Sequence, residues 1–319
     1  MTGMDRPRLQ FLLFLVVLTA ARLGGAAPLA ADETLQVVAT LPDLADIARH
    51  VGEDRVEVSS IAVGFQDPHY VDPKPSFIVK LNRADVFIGV GLDLEVGWVP
   101  PLLNQARNPR VLRGSPGWVD ASEGIEILQK PTRQLSRAEG DIHIYGNPHY
   151  WMDPLNGKLI AAHLSRVFSD LRPQWAAEFD GNAKAFSQSV DDANARWQRQ
   201  LAPYRGRKVV AYHNSWPYFE KRFGIEIVAF IEPRPGIPPT PNDLLRVITL
   251  MRQENIKIVL HSVYYDDKPS RFVASKVGGN IVTLATSVGG ADDTPDYVAL
   301  FDHNVRLLLE AFEAVSPAR

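Results

Sequence analysis

Two α/β lobes, each built on a parallel-type sheet and joined by a long rigid helix, are predicted for this chain by three observations. Short β-branched runs alternate with amphipathic stretches over the first part of the chain, up to about residue 90. The same alternation returns after residue 205. Between them runs a long segment with one glycine and no proline, striped with large apolar residues. Strands alternating with helices are the pattern of βαβ units, whose strands pair in parallel.

The elements follow in order. Leu35 to Thr40 (LQVVAT) is the first strand, Asp43–Val51 a helix, Val56–Val63 the second strand and Val86–Val90 the third. After residue 205 come strands Lys208–Tyr212, Ile225–Ile231, Ile256–Leu260 and Asn280–Leu284, with a helix over Asn242–Asn255. From Gln174 to Ala202, bracketed by Pro173 and Pro203, large apolar residues fall at Trp175, Phe179, Phe186, Val190, Trp197 and Leu201. Spacings of four and seven mark one face of a helix. A continuous helix there is about 43 Å long, a strut and not a flexible linker.

Composition narrows the function. The chain has 319 residues, 45% hydrophobic and 22% charged, enough apolar matter for real cores. It has no cysteine, which excludes disulfide scaffolds, thiolate zinc sites, iron–sulfur clusters and cysteine nucleophiles. A net charge of -3 offers no basic excess for phosphates, so no nucleic acid is expected as a partner. Arg6 and Arg8 precede an apolar run from Phe11 to Val17, followed by small residues through Ala31. That order reads as a secretory signal peptide over 1–31. The apolar run is short for a membrane span. The expected divisions are therefore 1–31 signal, 32–172 N-terminal lobe, 173–203 linking helix and 204–319 C-terminal lobe.

Eight histidines are the main candidates for chemistry. His50, His163 and His303 fall on helical stretches and read as structural. His69 and His149 stand out because their surroundings repeat: Asp67-Pro68-His69-Tyr70 and Asn147-Pro148-His149-Tyr150, each followed by an Asp-Pro pair. A preceding proline restrains the loop and lowers the entropy cost of aiming an imidazole. His213 follows the strand 208–212, at the strand end where α/β sheets place ligands. Three converging imidazoles suit Zn²⁺, but intervals of this length carry no local geometry and nothing like HExxH occurs. Gly89–Gly91 is too short for a phosphate loop, and Trp98, Trp151 and Trp216 read as packing, with Trp151 and Trp216 near the proposed ligands.

The segment DPHYVDPKPSFIVKLNRADVFIGVGLDLEVGW (67–98) resembles the first metal-ligand motif of zinc- and manganese-type solute-binding proteins of ABC transporters. GNPHYWMDP (146–154) and YHNSWPYFEKRFG (212–224) resemble the second and third motifs. PGIPPTPNDL (235–244) and YYDDKPSRFVASKVGGNIV (264–282) resemble later C-lobe segments, so the likeness spans the mature chain in order. It implies a metal held in the cleft between two lobes, with His69, His149 and His213 as ligands. It also implies a periplasmic monomer, not an enzyme, that binds Zn²⁺ (alternatively Mn²⁺) and hands it to a membrane permease. With no cysteine to acylate, a free periplasmic protein is expected and surface display is disfavoured.

Two departures from the family pattern stand out. The histidine-rich loop of many zinc-binding members is reduced here to Glu139, Asp141 and His143 within Lys130–Asn147. His143 could relay metal or join the shell, and the reading favours a solvated ring. The aspartate that the family often supplies after the last C-lobe strand aligns with Thr286. Glu232, Asp266 or a water molecule is left to complete the shell. Asp266 also suits the N-cap of the following helix, and Glu232 the anchor of the Pro233–Pro241 loop. The alternative to a binding protein is a zinc hydrolase with Glu232 as general base.

Overall fold

The computed structural model describes residues 1–2, 34–132 and 143–315; the proposed signal segment beyond its first two residues, Glu139 and Asp141 lie outside them. In the N-terminal half, strands β1 (Leu35–Ala39), β2 (Val56–Ser60), β3 (Val86–Gly89) and β4 (Trp118–Asp120) form one sheet in the order β2-β1-β3-β4. Helices α1 (Pro42–Gly52), α2 (Pro75–Arg83) and α3 (Val99–Ala106) connect them. The C-terminal half repeats the plan: β5 (Lys208–Ala211), β6 (Glu226–Phe230), β7 (Ile258–Ser262) and β8 (Asn280–Leu284), in the order β6-β5-β7-β8. Here α6 (Pro217–Phe223), α7 (Pro241–Gln253) and α8 (Lys268–Val277) are the crossovers. Every strand pair is parallel.

Seven of the eight strands coincide with the β-branched runs to within a few residues. β4 was not expected. It has only three residues, too few to show a period, and reaches its place because Gly117 lets the chain pass against Asp85; a Cβ there would lie 2.1 Å from the Asp85 carbonyl oxygen. β2 stops at Ser60, short of Val63, although the Ile61 and Ala62 amides still donate to Ala39 and Thr40 carbonyls.

The expected strut exists as α5 (Ala176–Leu201), 26 residues, entered through a 3-10 turn at Pro173–Trp175. Phe179, Phe186, Val190, Trp197 and Leu201 are all buried on one face, as the stripe requires. Burial of each such side chain is worth about 1.5–3 kcal/mol, which offsets the modest helix propensity of a segment with two Asn and one Gly. Helices α4 (Pro154–Leu171), α1 and α9 (Tyr297–Val315) pack on α5. One hydrophobic core runs from the N-terminal sheet through α4 and α5 to Trp216, Phe219, Phe223 and Phe301 of the C-terminal half. A second core lies on the other face of the C-terminal sheet, around Val210, Ile231, Val247, Met251 and Val259.

Polar ties join the same halves. Trp197 Nε1–H donates to Asp302, and its ring meets Phe301 at 5.3 Å. The Tyr297 hydroxyl donates to the Trp151 carbonyl at 2.6 Å, and the Tyr297 amide to Asp46. Gly157 of α4 is required by that tyrosine, since a Cβ would fall 2.4 Å from its ring. Arg222 of α6 makes two 2.7 Å bonds to Asp153, whose carboxylate also caps α4 through the Leu155 amide. Among the described residues no helix is long and apolar enough to cross a membrane.

Candidate metal centre

His69 lies beyond the carboxyl end of β2, His149 beyond β4 and His213 two residues beyond β5. In parallel sheets this is the end where loops diverge and ligands bind. The two sheets turn these ends toward one another. One ring nitrogen from each of the three histidines falls within 4.8 Å of the other two, and all three residues are buried. Ring centroids are 5.3 Å apart for His69–His149 and 5.5 Å for both other pairs, a nearly equilateral set.

The repeated motif has a mechanical explanation. Asp67 Oδ1 accepts the His69 amide at 3.0 Å and the His69 Nδ1–H at 2.7 Å. Asn147 Oδ1 does the same for His149, at 3.0 Å for each bond. The intervening proline fixes the turn, and the side chain two residues upstream fixes the ring. His213 reaches the same state by another route: its Nδ1–H donates to Glu232 Oε2 at 2.5 Å, from the loop after β6. With every Nδ1 hydrogen engaged, each imidazole turns Nε2 and its lone pair inward. His149 Nε2 is buried with no hydrogen-bond partner, an orphaned acceptor where a cation would sit.

Electrostatics favour the same reading. Burial first, then the neighbouring imidazoles, holds the His149 pKa well below its usual value, so the ring is a neutral donor. Burial raises the Asp67 pKa, but the His69 hydrogen bond and charge outweigh it and hold the carboxyl below its ordinary range. Asp67 and Glu232 place two acidic side chains directly behind the histidine cluster, where they would offset the charge of a buried cation. Burial drives the Tyr264 and Tyr265 phenols upward, so they stay protonated beside the site.

The remaining sequence candidates divide. Glu232 is not aimed inward: Oε2 holds His213, and Oε1 accepts the Gly236 amide at 2.8 Å, anchoring the proline-rich loop. Both oxygens are committed, so Glu232 is not a free base. Asp266 is exposed and accepts the Lys268 amide at the start of α8; the N-cap position itself is Asp267. Thr286 is buried, with its hydroxyl beside Tyr264 but without a well-formed hydrogen bond, and its carbonyl accepts from Trp151 Nε1–H at 2.8 Å. The solvated position expected for His143 is not found: its Nε2 lies 3.2 Å from His69 Nε2, and burial followed by the charges of His69 and His213 lowers its pKa to about 3. Trp151 meets His149 in a tilted contact at 5.3 Å, Trp216 packs on Phe219, and Trp98 donates to the Pro68 carbonyl, bracing the His69 turn.

A family described as zinc-uptake complex component A, periplasmic, matches residues 37–311. The chain belongs to this family of metal-binding, ABC-transporter substrate-binding proteins. It is 24% identical to a manganese ABC transporter substrate-binding lipoprotein, PsaA, of Streptococcus mitis, over 83% of this chain and 84% of that one. It is also 24% identical to the iron-binding protein YfeA of Yersinia pestis, over 94% and 93%. A crystal structure of ZnuA superposes with a TM-score of 0.71 at 21% identity, covering 88% of this chain and 99% of that one.

Proposed function

We propose that this protein captures Zn²⁺ outside the cytoplasm, between His69, His149 and His213, and delivers it to the membrane permease of an ABC transporter. The observation that carries the reading is three buried histidines with one ring nitrogen of each within 4.8 Å of the others, each ring held by an oxygen on its Nδ1–H. Three nitrogens form a zinc-like donor set, whereas Mn²⁺ favours carboxylate, carbonyl and water oxygens. The relatives named for manganese and iron make the choice of ion the point to test. The domain reading is the one expected from sequence: a signal over 1–31, lobes 32–172 and 204–319, and the helix between them. A periplasmic location follows from that signal, and the absence of cysteine leaves no thiol for lipid attachment. The protein acts as a monomer, binding without chemical turnover. Metal analysis of the protein isolated from its own compartment should return zinc, and competitive titration of stripped protein should rank Zn²⁺ above Mn²⁺. Tighter binding of Mn²⁺, or its displacement of Zn²⁺ at equal free concentration, overturns the assignment.

A further inference from the structure

We infer that His143, carried on the turn at 143–146, is the fourth donor to the ion. The inference rests on the reading that His69, His149 and His213 hold the metal. Thr286 is buried and neutral, and its backbone carbonyl already accepts from Trp151. Glu232 and Asp266 are engaged elsewhere. No carboxylate is left to fill the fourth place among the described residues that could hold a metal.

His143 lies beside the three-histidine cluster. Its neighbours Ile144 and Tyr145 are exposed, yet its own ring turns inward, 5.2 Å from the His69 ring and 6.1 Å from that of His149. Two nitrogens bound to one Zn²⁺ at about 2.0–2.1 Å in a tetrahedron lie about 3.3–3.4 Å apart. His143 Nε2 and His69 Nε2 are 3.2 Å apart, close to the spacing a shared ion imposes.

The backbone makes this approach reproducible. The Gly146 amide donates to the His143 carbonyl, closing a turn over 143–146, and Gly146 has φ of 108°, a conformation open to glycine. The Asn147 amide donates to the Leu128 carbonyl, and Asn147 also pins His149. One loop base therefore sets both rings. His143 stands beside the His69 and His149 rings, next to the compact trio. A shell of four neutral nitrogens discriminates more strongly against Mn²⁺ than one of three nitrogens and a carboxylate.

The test is Zn²⁺ competition titration and zinc-edge X-ray absorption on the full chain, His143→Ala and His149→Ala. Four imidazoles in the wild type, three in His143→Ala, and zinc affinity about 10- to 100-fold weaker in that variant are expected. The preference for Zn²⁺ over Mn²⁺ should narrow in parallel, while the melting temperature without metal stays unchanged. Three imidazoles in the wild type, with His143→Ala binding zinc equally well, overturn the role of His143 alone. Wild-type affinity in His149→Ala, or no zinc binding by the wild type, overturns the underlying site and this inference together.

Discussion

The two lobes present the same kind of ligand by different means. On the N-terminal side, Asp67 and Asn147 orient His69 and His149 from two residues away, within a single proline turn. On the C-terminal side, His213 depends on Glu232, 19 residues on and across a strand crossover. The first arrangement survives wherever its loop forms. The second exists only when β5 and β6 are paired and the 232–236 turn is closed. One side of the site is thus preformed by local sequence and the other by tertiary structure.

Substituting the two kinds of support separately should break this symmetry most visibly. Glu232→Gln removes a charge behind the metal and loosens the loop that Gly236 anchors, so zinc affinity should fall by about 10- to 100-fold. Asp67→Asn converts the first motif into the second, keeps the oxygen acceptor, and should cost less than Glu232→Gln in the same competition assay. An equal or larger loss for Asp67→Asn would remove the distinction between the two sides.

A second comparison concerns the frame that holds the lobes together. Gly157→Ala drives a methyl into Tyr297, the residue tying α9 to the Trp151 and Asp153 carbonyls, and should destabilise the protein by about 1–3 kcal/mol in denaturant unfolding. Stability without a measurable change would mean that Tyr297 gives way freely.

The contact between Asp43 and the Ser287–Val288 segment supplies a pH test. Burial raises the Asp43 pKa to about 7 from an ordinary 3.8. A raised carboxyl contributes stability that is full below the unfolded pKa and is lost as pH climbs toward the folded one. Asp43→Asn should therefore gain stability relative to the wild type as pH rises from 3.8 to about 7, read as the difference in melting temperature of metal-free protein. His149 works in the opposite sense: its depressed pKa leaves stability intact above about 6.5 and erodes it below. A difference that does not change with pH would show that Asp43 is ionised throughout.

The smallest expected effect is in overall shape. Because one core passes from the N-terminal sheet through α5 to Phe301, scattering profiles with and without zinc should nearly superimpose. A clear compaction on loading would show that the strut bends.

Much of this was legible in the sequence, for reasons visible in particular residues. The α5 stripe and seven strands announced themselves through period and β-branching, because their burial is regular. The three histidines were legible through repetition and strand-end position. The role of Asp67 and Asn147 was written in the same motifs but went unread: a side-chain oxygen two residues before a histidine is itself a signal. Glu232 was noticed for its place before the proline loop, yet its bond to His213 depends on strand pairing that no local pattern reveals. The position of His143 was not legible, because the turn closed by the Gly146 amide sets it beside His69.

The claim that a single ion is held across both lobes is tested most directly by the zinc-induced rise in melting temperature of the wild type and His213→Ala. At free zinc a thousandfold above Kd, linkage gives about 4 kcal/mol of stabilisation. The wild type should show that shift, and His213→Ala should lose most of it while its metal-free form stays folded. An undiminished shift in His213→Ala would place the ion on the N-terminal side alone and contradict the bridged site.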